Sequence, residues 1–157
     1  MRILLPIDGS AHSDRAVEEV ASRPWPSGTE VEVLTAIHSR APVLPDPAFV
    51  MAAVHVERIH ELLEHAPDLL NPAAKRIRQR APHVSVTTKA LEGPPTDVIL
   101  KEAHDWGADL IVLGSHGRGP VKQALLGSVA SGVAADATCA VEIIKGRRPA
   151  VTVRGAD

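Results

Sequence analysis

Four small residues, spaced as G-x2-G-x9-G-S, could do the most definite chemistry in this sequence. They are Gly114, Gly117, Gly127 and Ser128. Glycine accepts positive φ angles and brings main-chain N–H groups close to a ligand without interference from a Cβ atom. The free N–H groups at the start of a following helix attract phosphate oxygens. The pattern therefore predicts a phosphate cradle, and the expected ligand is a nucleotide.

The segments on either side of this loop support the same interpretation. Residues 108–113 form an apolar run of strand length, and residues 129–137 have a helical pattern. Glycines in such a loop are often only turn formers, but Gly127 and Ser128 fall where a helix must start. There, Ser128 either caps the helix or donates its hydroxyl to a phosphate. The sequence contains no GxxxxGK[ST] motif, and GSHGRG lacks the context of a dinucleotide fingerprint.

Three polar residues are candidates to assist the loop, and each has a simpler interpretation. Asp8 follows the first apolar run, so its carboxylate could bind ribose hydroxyls or a metal ion held by phosphates, or could only form a turn before Gly9. Arg118 could clamp a phosphate or remain solvated. His116 could carry a proton, but packing or backbone hydrogen bonding is the more common role of such a histidine.

The elements that must position these residues alternate between strand and helix. Apolar runs occupy residues 3–7, 31–37, 84–88, 110–113 and 141–144. Helical patterns lie between them, one after a cap at Ser10 and one after Pro94 and Pro95. This alternation predicts an α/β, doubly wound parallel sheet that binds ligands at the carboxyl ends of its strands. Between residues 56 and 77 we expect a broken or kinked helix, because Pro67 and Pro72 interrupt it and Asn71 can cap a second helix.

Composition restricts the class of protein. At 157 residues the chain is the size of one domain, which we expect to span residues 1–146, with a flexible tail at 147–157. A net charge of −2 and 2% aromatic residues argue against nucleic-acid binding. The single cysteine, Cys139, cannot form an internal disulfide. Because no apolar stretch approaches the length of a membrane span or a signal peptide, we expect a cytoplasmic protein with no membrane partner.

Three stretches resemble the universal stress protein family, and specifically its ATP-binding branch. They are ILLPIDGS, ALEGPPTDVILKEAHDWGADLIVLGSHGRG and LLGSVASGVAADATCAVEIIK, and the resemblance covers residues 2–145. It implies an adenine nucleotide alpha hydrolase-like fold, a five-stranded parallel sheet of order 3-2-1-4-5. It also implies ATP, with or without Mg²⁺, at the carboxyl edge between strands 1 and 4. A homodimer made by the last strands is a further implication.

The resemblance also assigns individual binding residues. Two lie at the first strand, one at the second, and the others in the loop or at the start of the next helix: Pro6, Asp8, Ala36, Leu113, Gly114, His116, Gly117, Arg118, Gly119, Gly127, Ser128 and Val129. No catalytic residue and no protein-bound metal are assigned. This sequence departs from the family by having Ala140 in place of a proline. It also has Glu142 inside an apolar strand, so that strand is either an exposed edge or meets a partner chain.

Three functions follow from these residues. The first is a nucleotide-responsive regulatory module of the stress response, acting on a protein partner that the sequence does not identify. The second is a slow ATP hydrolase, for which only Asp8, His116 and Arg118 are candidates. The third is a dimeric scaffold without nucleotide. The spacing does not distinguish ATP from AMP or cyclic AMP, and residues 39–49 could cover the adenine side or contact another subunit.

Overall fold

The computed structural model describes residues 1–38, 48–117 and 126–145, with side chains in the long second helix described from Val56 onward. Several expectations lie outside these residues. They concern Arg118 and Gly119, most of the 39–49 segment, and the 147–157 tail.

Five parallel strands form a single sheet in the order β3-β2-β1-β4-β5. Along the chain the elements are β1 (Arg2–Pro6), α1 (Ala11–Ser22), β2 (Glu30–Ile37), α2 (Ala48–Arg80), β3 (Ser85–Glu92), α3 (Pro95–Trp106), β4 (Leu110–Gly114), α4 (Ser128–Asp136) and β5 (Ala140–Ile144). The predicted doubly wound architecture and strand order are confirmed. β3 is longer than its apolar run, because its second half is half-buried and mixes polar with apolar residues.

The sheet separates two hydrophobic layers. Helices α1 and α2 pack on one face, where Ile3 and Leu5 of β1 are fully buried. Helices α3 and α4 pack on the other face, where Leu4 is fully buried. Since successive side chains of a strand point to opposite faces, a central strand covered on both sides must be continuously apolar. The run ILL in β1 satisfies this requirement, and β1 is consequently the centre of the sheet.

Of the expected break or kink, the break is not found, because α2 is one helix from Ala48 to Arg80 with Pro67 and Pro72 inside it. Asn71 lies within this helix and does not start a new one. Each interior proline removes a hydrogen bond and costs about 3 kcal/mol. Burial of a large aliphatic side chain contributes about 1.5–3 kcal/mol, and this helix buries a stripe that spans both prolines: Ile59, Ala66, Leu70, Ala73, Ala74 and Ile77. The tertiary contacts therefore outweigh the local preference for a break.

Glu142 has a partner within its own chain. β5 is an edge strand, and Arg23, just after α1, donates from Nη1 to Glu142 Oε2 at 2.6 Å while also bonding Glu19 from Nε at 3.0 Å. The Arg23 guanidinium lowers the pKa of the Glu142 carboxyl. The charge is therefore matched without a partner chain. Cys139 directly precedes this strand and is half-buried.

No helix in the described ranges is long and apolar enough to cross a membrane.

Candidate functional site

The carboxyl ends of β1 and β4 meet where the strand order reverses. β1 pairs with β2 on one side and with β4 on the other, with Leu4 opposite Ile111 in the β1–β4 pair. The chain leaves β1 for a helix on one face of the sheet, and it enters β4 from a helix on the other face. A crevice between diverging loops at such a point is where open α/β sheets bind ligands. The predicted proximity of the first-strand loop and the glycine loop is confirmed.

The loop after β1 is held by a short network of hydrogen bonds. Asp8 Oδ1 accepts from the Ser10 N–H at 3.0 Å, and the Asp8 N–H donates to Ser13 Oγ at 3.4 Å. Ser10 caps α1 as predicted, since its Oγ accepts from the Ser13 N–H at 3.2 Å. Asp8 is thus a turn former, as its simpler interpretation required, and the turn fixes the direction of its carboxylate.

A second set of contacts joins this loop to the glycine loop after β4. Ser10 Oγ donates to the carbonyl of His116 at 3.3 Å. A Cβ atom placed on Gly117 would lie 2.7 Å from Asp8 Oδ2, closer than real Cβ contacts allow. The Asp8 carboxylate and the Gly117 backbone are therefore in direct proximity, and the absence of a side chain at Gly117 makes this possible.

The glycines of the pattern serve close packing of the protein against itself. A Cβ atom on Gly114 would lie 2.6 Å from the carbonyl carbon of His12 in α1, and one on Gly127 would lie 3.2 Å from the Cα atom of His116. None of Gly114, Gly117 and Gly127 has a positive φ angle, so these positions use the missing Cβ of glycine and not its freedom to adopt positive φ. In the described part of the chain positive φ occurs at other glycines, among them Gly9 after Asp8.

Helix α4 begins at Ser128, as predicted, and Gly127 is its N-cap with φ −62° and ψ 157°. Ser128 is therefore the first helical residue and does not cap the helix, which leaves its hydroxyl available for other partners. The Gly127 N–H donates to the Ser115 carbonyl at 2.8 Å, and its carbonyl accepts from the Ser131 N–H at 2.9 Å. The N–H groups of Ser128 and Val129 precede this first intrahelical bond, so they need acceptors from outside the helix.

His116 packs within this site. Its ring lies 5.1 Å from that of His12, and its Nδ1 atom is 3.1 Å from Ser115 Oγ. Its Nε2 atom is buried, with no hydrogen-bond partner among the described residues. The packing interpretation of His116 is supported, and the buried nitrogen is a point at which a polar ligand atom would complete a hydrogen bond.

The other assigned residues lie around the same edge. Pro6 ends β1, Leu113 is buried in β4, Val129 is half-buried in the first turn of α4, and Ala36 is near the end of the neighbouring strand β2. Among the residues that the structure describes, no group of three or more His, Cys, Asp or Glu side chains could hold a metal ion.

Sequence reasoning missed three contributors to the site: Ser10 as a bridge, His12 and Ser115. Ser10 was identifiable as a helix cap, but its bond to His116 joins residues that are 106 positions apart. His12 and Ser115 carried no signal, because their roles depend on how α1 packs against β4.

Comparison with known proteins now identifies the family. The sequence profile described as "Universal stress protein family" matches residues 1–145. The chain belongs to the universal stress protein family. It is 30% identical over 147 residues to a universal stress protein of Thermus aquaticus, covering 91% of this chain and 97% of that one. It is 38% identical over 96 residues to universal stress protein A homolog 2 of Coxiella burnetii, where the match spans 61% of each chain.

Several solved structures share this fold. The hypothetical protein MJ0577 superposes with a TM-score of 0.79 at 27% identity, covering 94% of this chain and 97% of that chain. UspA from Lactobacillus plantarum gives 0.76 at 25% identity, covering 92% and 97%. A universal stress protein in complex with cAMP (TM-score 0.62, 23% identity, covering 92% and 96%) and one from Arabidopsis thaliana with AMP bound (0.64, 18%, covering 96% and 97%) have the same fold.

Proposed function

We propose that this universal stress protein binds ATP at the carboxyl edge between β1 and β4, and that nucleotide occupancy regulates its interaction with a partner. One observation carries the proposal: the Asp8 carboxylate and the start of α4 both contact the glycine loop after β4. Asp8 lies against Gly117, and Gly127 bonds Ser115. An anion-attracting helix end and a carboxylate at one strand edge match the two halves of a nucleotide, its phosphates and its ribose.

The chain's residues fit such a ligand from the phosphate end to the base. The N–H groups of Ser128 and Val129 would donate hydrogen bonds to phosphate oxygens, assisted by the Ser128 hydroxyl and the positive end of the α4 dipole. Asp8 would bind ribose hydroxyls or a Mg²⁺ ion that arrives with the phosphates. The backbone near Ala36 would contact the adenine. Arg118 and Gly119 belong to the proposed site through the family pattern alone.

The choice of ATP over other adenine nucleotides rests on the family pattern. The relatives with cAMP and AMP share the fold at 23% and 18% identity, which says nothing about the ligand of this chain. Binding is therefore measured by calorimetry for ATP with and without Mg²⁺, for AMP and for cyclic AMP. A fresh preparation is also denatured, and its supernatant is analysed for adenine nucleotides.

Two substitutions at one position separate main-chain from side-chain recognition. Ser128→Pro removes one N–H donor and the hydroxyl, whereas Ser128→Ala removes only the hydroxyl. Proline is favoured at the first helical position, and the extended conformation of Gly127 (ψ 157°) suits a residue before proline. We expect ATP binding to be lost in Ser128→Pro and only weakened in Ser128→Ala, with both variants as stable as the parent. ATP binding that is equal in Ser128→Pro and the parent would refute the cradle, and no heat from any nucleotide would favour the scaffold function.

A homodimer through β5 is part of the proposal. β5 is an edge strand, so no strand among the described residues pairs with its outer side, and Val141 and Ile143 are half-buried in the single chain. Because Arg23 holds the Glu142 carboxylate, this charge does not oppose strand pairing. Light scattering should give a dimer mass. Ile143→Lys should reduce that mass to one chain, and a dimer that survives this change would place the interface elsewhere.

A further inference from the structure

Three charged side chains lie together in the layer between the sheet and α3, away from the proposed nucleotide site. Glu32 of β2 and Glu102 of α3 are each only 7% exposed, and Lys89 of β3 donates from Nζ to Glu102 Oε1 at 2.8 Å. Glu32 lies two residues before Leu34, which is buried in the same layer. Buried carboxyl groups are rare unless a charge or a proton compensates them.

The charges in this cluster do not balance when both carboxyl groups are ionised. Lys89 neutralises Glu102, and Glu32 Oε1 is buried without a hydrogen-bond partner in the described part of the chain. Burial, with the nearby Glu102 charge as the second cause, raises the pKa of the Glu32 carboxyl to about 7. A proton between the two carboxyl groups would remove the excess charge and supply the missing hydrogen bond.

Among the described residues, Lys89 is the only cation whose charge acts on the Glu32 carboxyl. Opposite it on β1 stands the apolar Leu4. On α3, Lys101 and Asp105 pair with each other. The proton is therefore the ligand that this cluster lacks.

A surface groove gives solvent access to the cluster. It has a volume of about 530 Å³ and lies between β3 and α3. Its lining consists of the charged residues Lys89, Glu92, Lys101, Glu102 and Asp105 and the apolar residues Leu91, Val98 and Trp106. Because Lys89 and Glu102 line this open groove, protons can reach the pair without unfolding.

We propose that Glu32 and Glu102 share a proton, and that this proton is a pH-sensitive latch which holds α3 against β2 and β3. In acidic solution the latch is closed. As the pH rises towards neutrality Glu32 loses the proton, two carboxylates face one ammonium, and α3 opens more easily. Glu32 and Glu102 are positioning residues for α3, and this role does not depend on nucleotide binding.

Carbon-detected NMR of glutamate carboxyl groups tests the latch in the wild-type chain. One carboxyl signal should titrate at about pH 7 and should disappear in Glu32→Gln. Lys89→Met should move this midpoint upward, because the lysine charge favours ionised Glu32. Titration of every glutamate near the usual value of 4.5, or an unchanged midpoint in Lys89→Met, would overturn the proposal.

Hydrogen exchange tests the consequence for α3. The opening equilibrium of α3 amides, corrected for intrinsic exchange, should rise about tenfold per pH unit from pH 4.5 to about pH 7 and then level off. Glu32→Gln, whose amide imitates the protonated acid, should remove this dependence. The matched control is Glu30→Gln on the same strand, where the side chain is 50% exposed, and its profile should equal that of the parent. A pH-independent parent, or a dependence that persists in Glu32→Gln, would refute the latch.

Discussion

Gly114→Ala should be the most damaging of the single-methyl additions in the glycine loop. Its Cβ would meet three atoms of His12 at 2.6–2.8 Å, two of them backbone atoms, whereas ordinary contact begins at 3.4 Å. Relief would therefore need a shift of up to 0.8 Å, the difference between 3.4 and 2.6 Å. Neither backbone can move easily, because Gly114 is paired in β4 and the start of α1 is held by its Ser10 cap. We expect the free energy of unfolding to fall by about 3 kcal/mol, which is the upper end of the typical cost of overpacking.

Chemical denaturation of the nucleotide-free protein measures this loss of stability. In a thermal unfolding experiment the melting temperature should fall by about 6–12 °C. The matched comparison is Gly127→Ala in the same pattern, where the nearest atoms are 3.2 Å away. We expect Gly127→Ala to lose about 1 kcal/mol of stability, because its neighbours need to move by only a few tenths of an ångström and alanine is a poorer helix cap. The reasoning fails if Gly114→Ala loses less than Gly127→Ala, or if its stability equals that of the parent.

The remaining predictions concern ionisable groups. Arg23→Ala should destabilise the fold by about 1 kcal/mol at neutral pH. Because Arg23 lowers the pKa of Glu142, this loss of stability should vanish as the pH falls through the pKa that Glu142 has in the folded state. Urea titrations at neutral pH and at a pH below that pKa measure the loss. An equal loss at both would contradict the ion pair. Glu32→Gln should be more stable than the parent at pH 8 by on the order of 3 kcal/mol, which is the free energy that corresponds to a pKa shift from 4.5 to about 7. Near pH 4 the two proteins should be equally stable. A stability difference that does not depend on pH would exclude ionisation of Glu32 as its cause. Burial raises the pKa of the Cys139 thiol, so a disulfide reagent at pH 8 should react with it more slowly than with the unfolded chain, and equal rates would show that the thiol is exposed.

The sequence was sufficient for the parts of the fold that depend on local pattern. Continuous apolar runs such as ILL predicted buried parallel strands, and the Ser10 cap and Pro95 predicted where α1 and α3 start. The strand order came from the family resemblance, since periodicity alone does not state which strands are neighbours. The position of Gly127 at the start of α4 was readable, because a glycine followed by serine interrupts an apolar segment.

What the sequence did not predict depends on contacts between distant residues. The continuity of α2 through Pro67 and Pro72 reflects burial against the sheet, which a local rule for proline does not contain. The partner of Glu142 is 119 positions away. The alternating EVEVL of β2 is typical of a strand with one solvated face, yet α3 covers Glu32 and creates the carboxyl pair.

The two ends of the glycine loop have a consequence for how the protein can be modified. A Cβ atom on Gly127 would lie only 3.8 Å from the Gly117 nitrogen, so the chain leaves and re-enters the sheet edge at nearly one point. Closing a loop between adjacent anchors depends only weakly on its length. A longer segment or a reporter peptide inserted between these two anchors should therefore leave the sheet undisturbed.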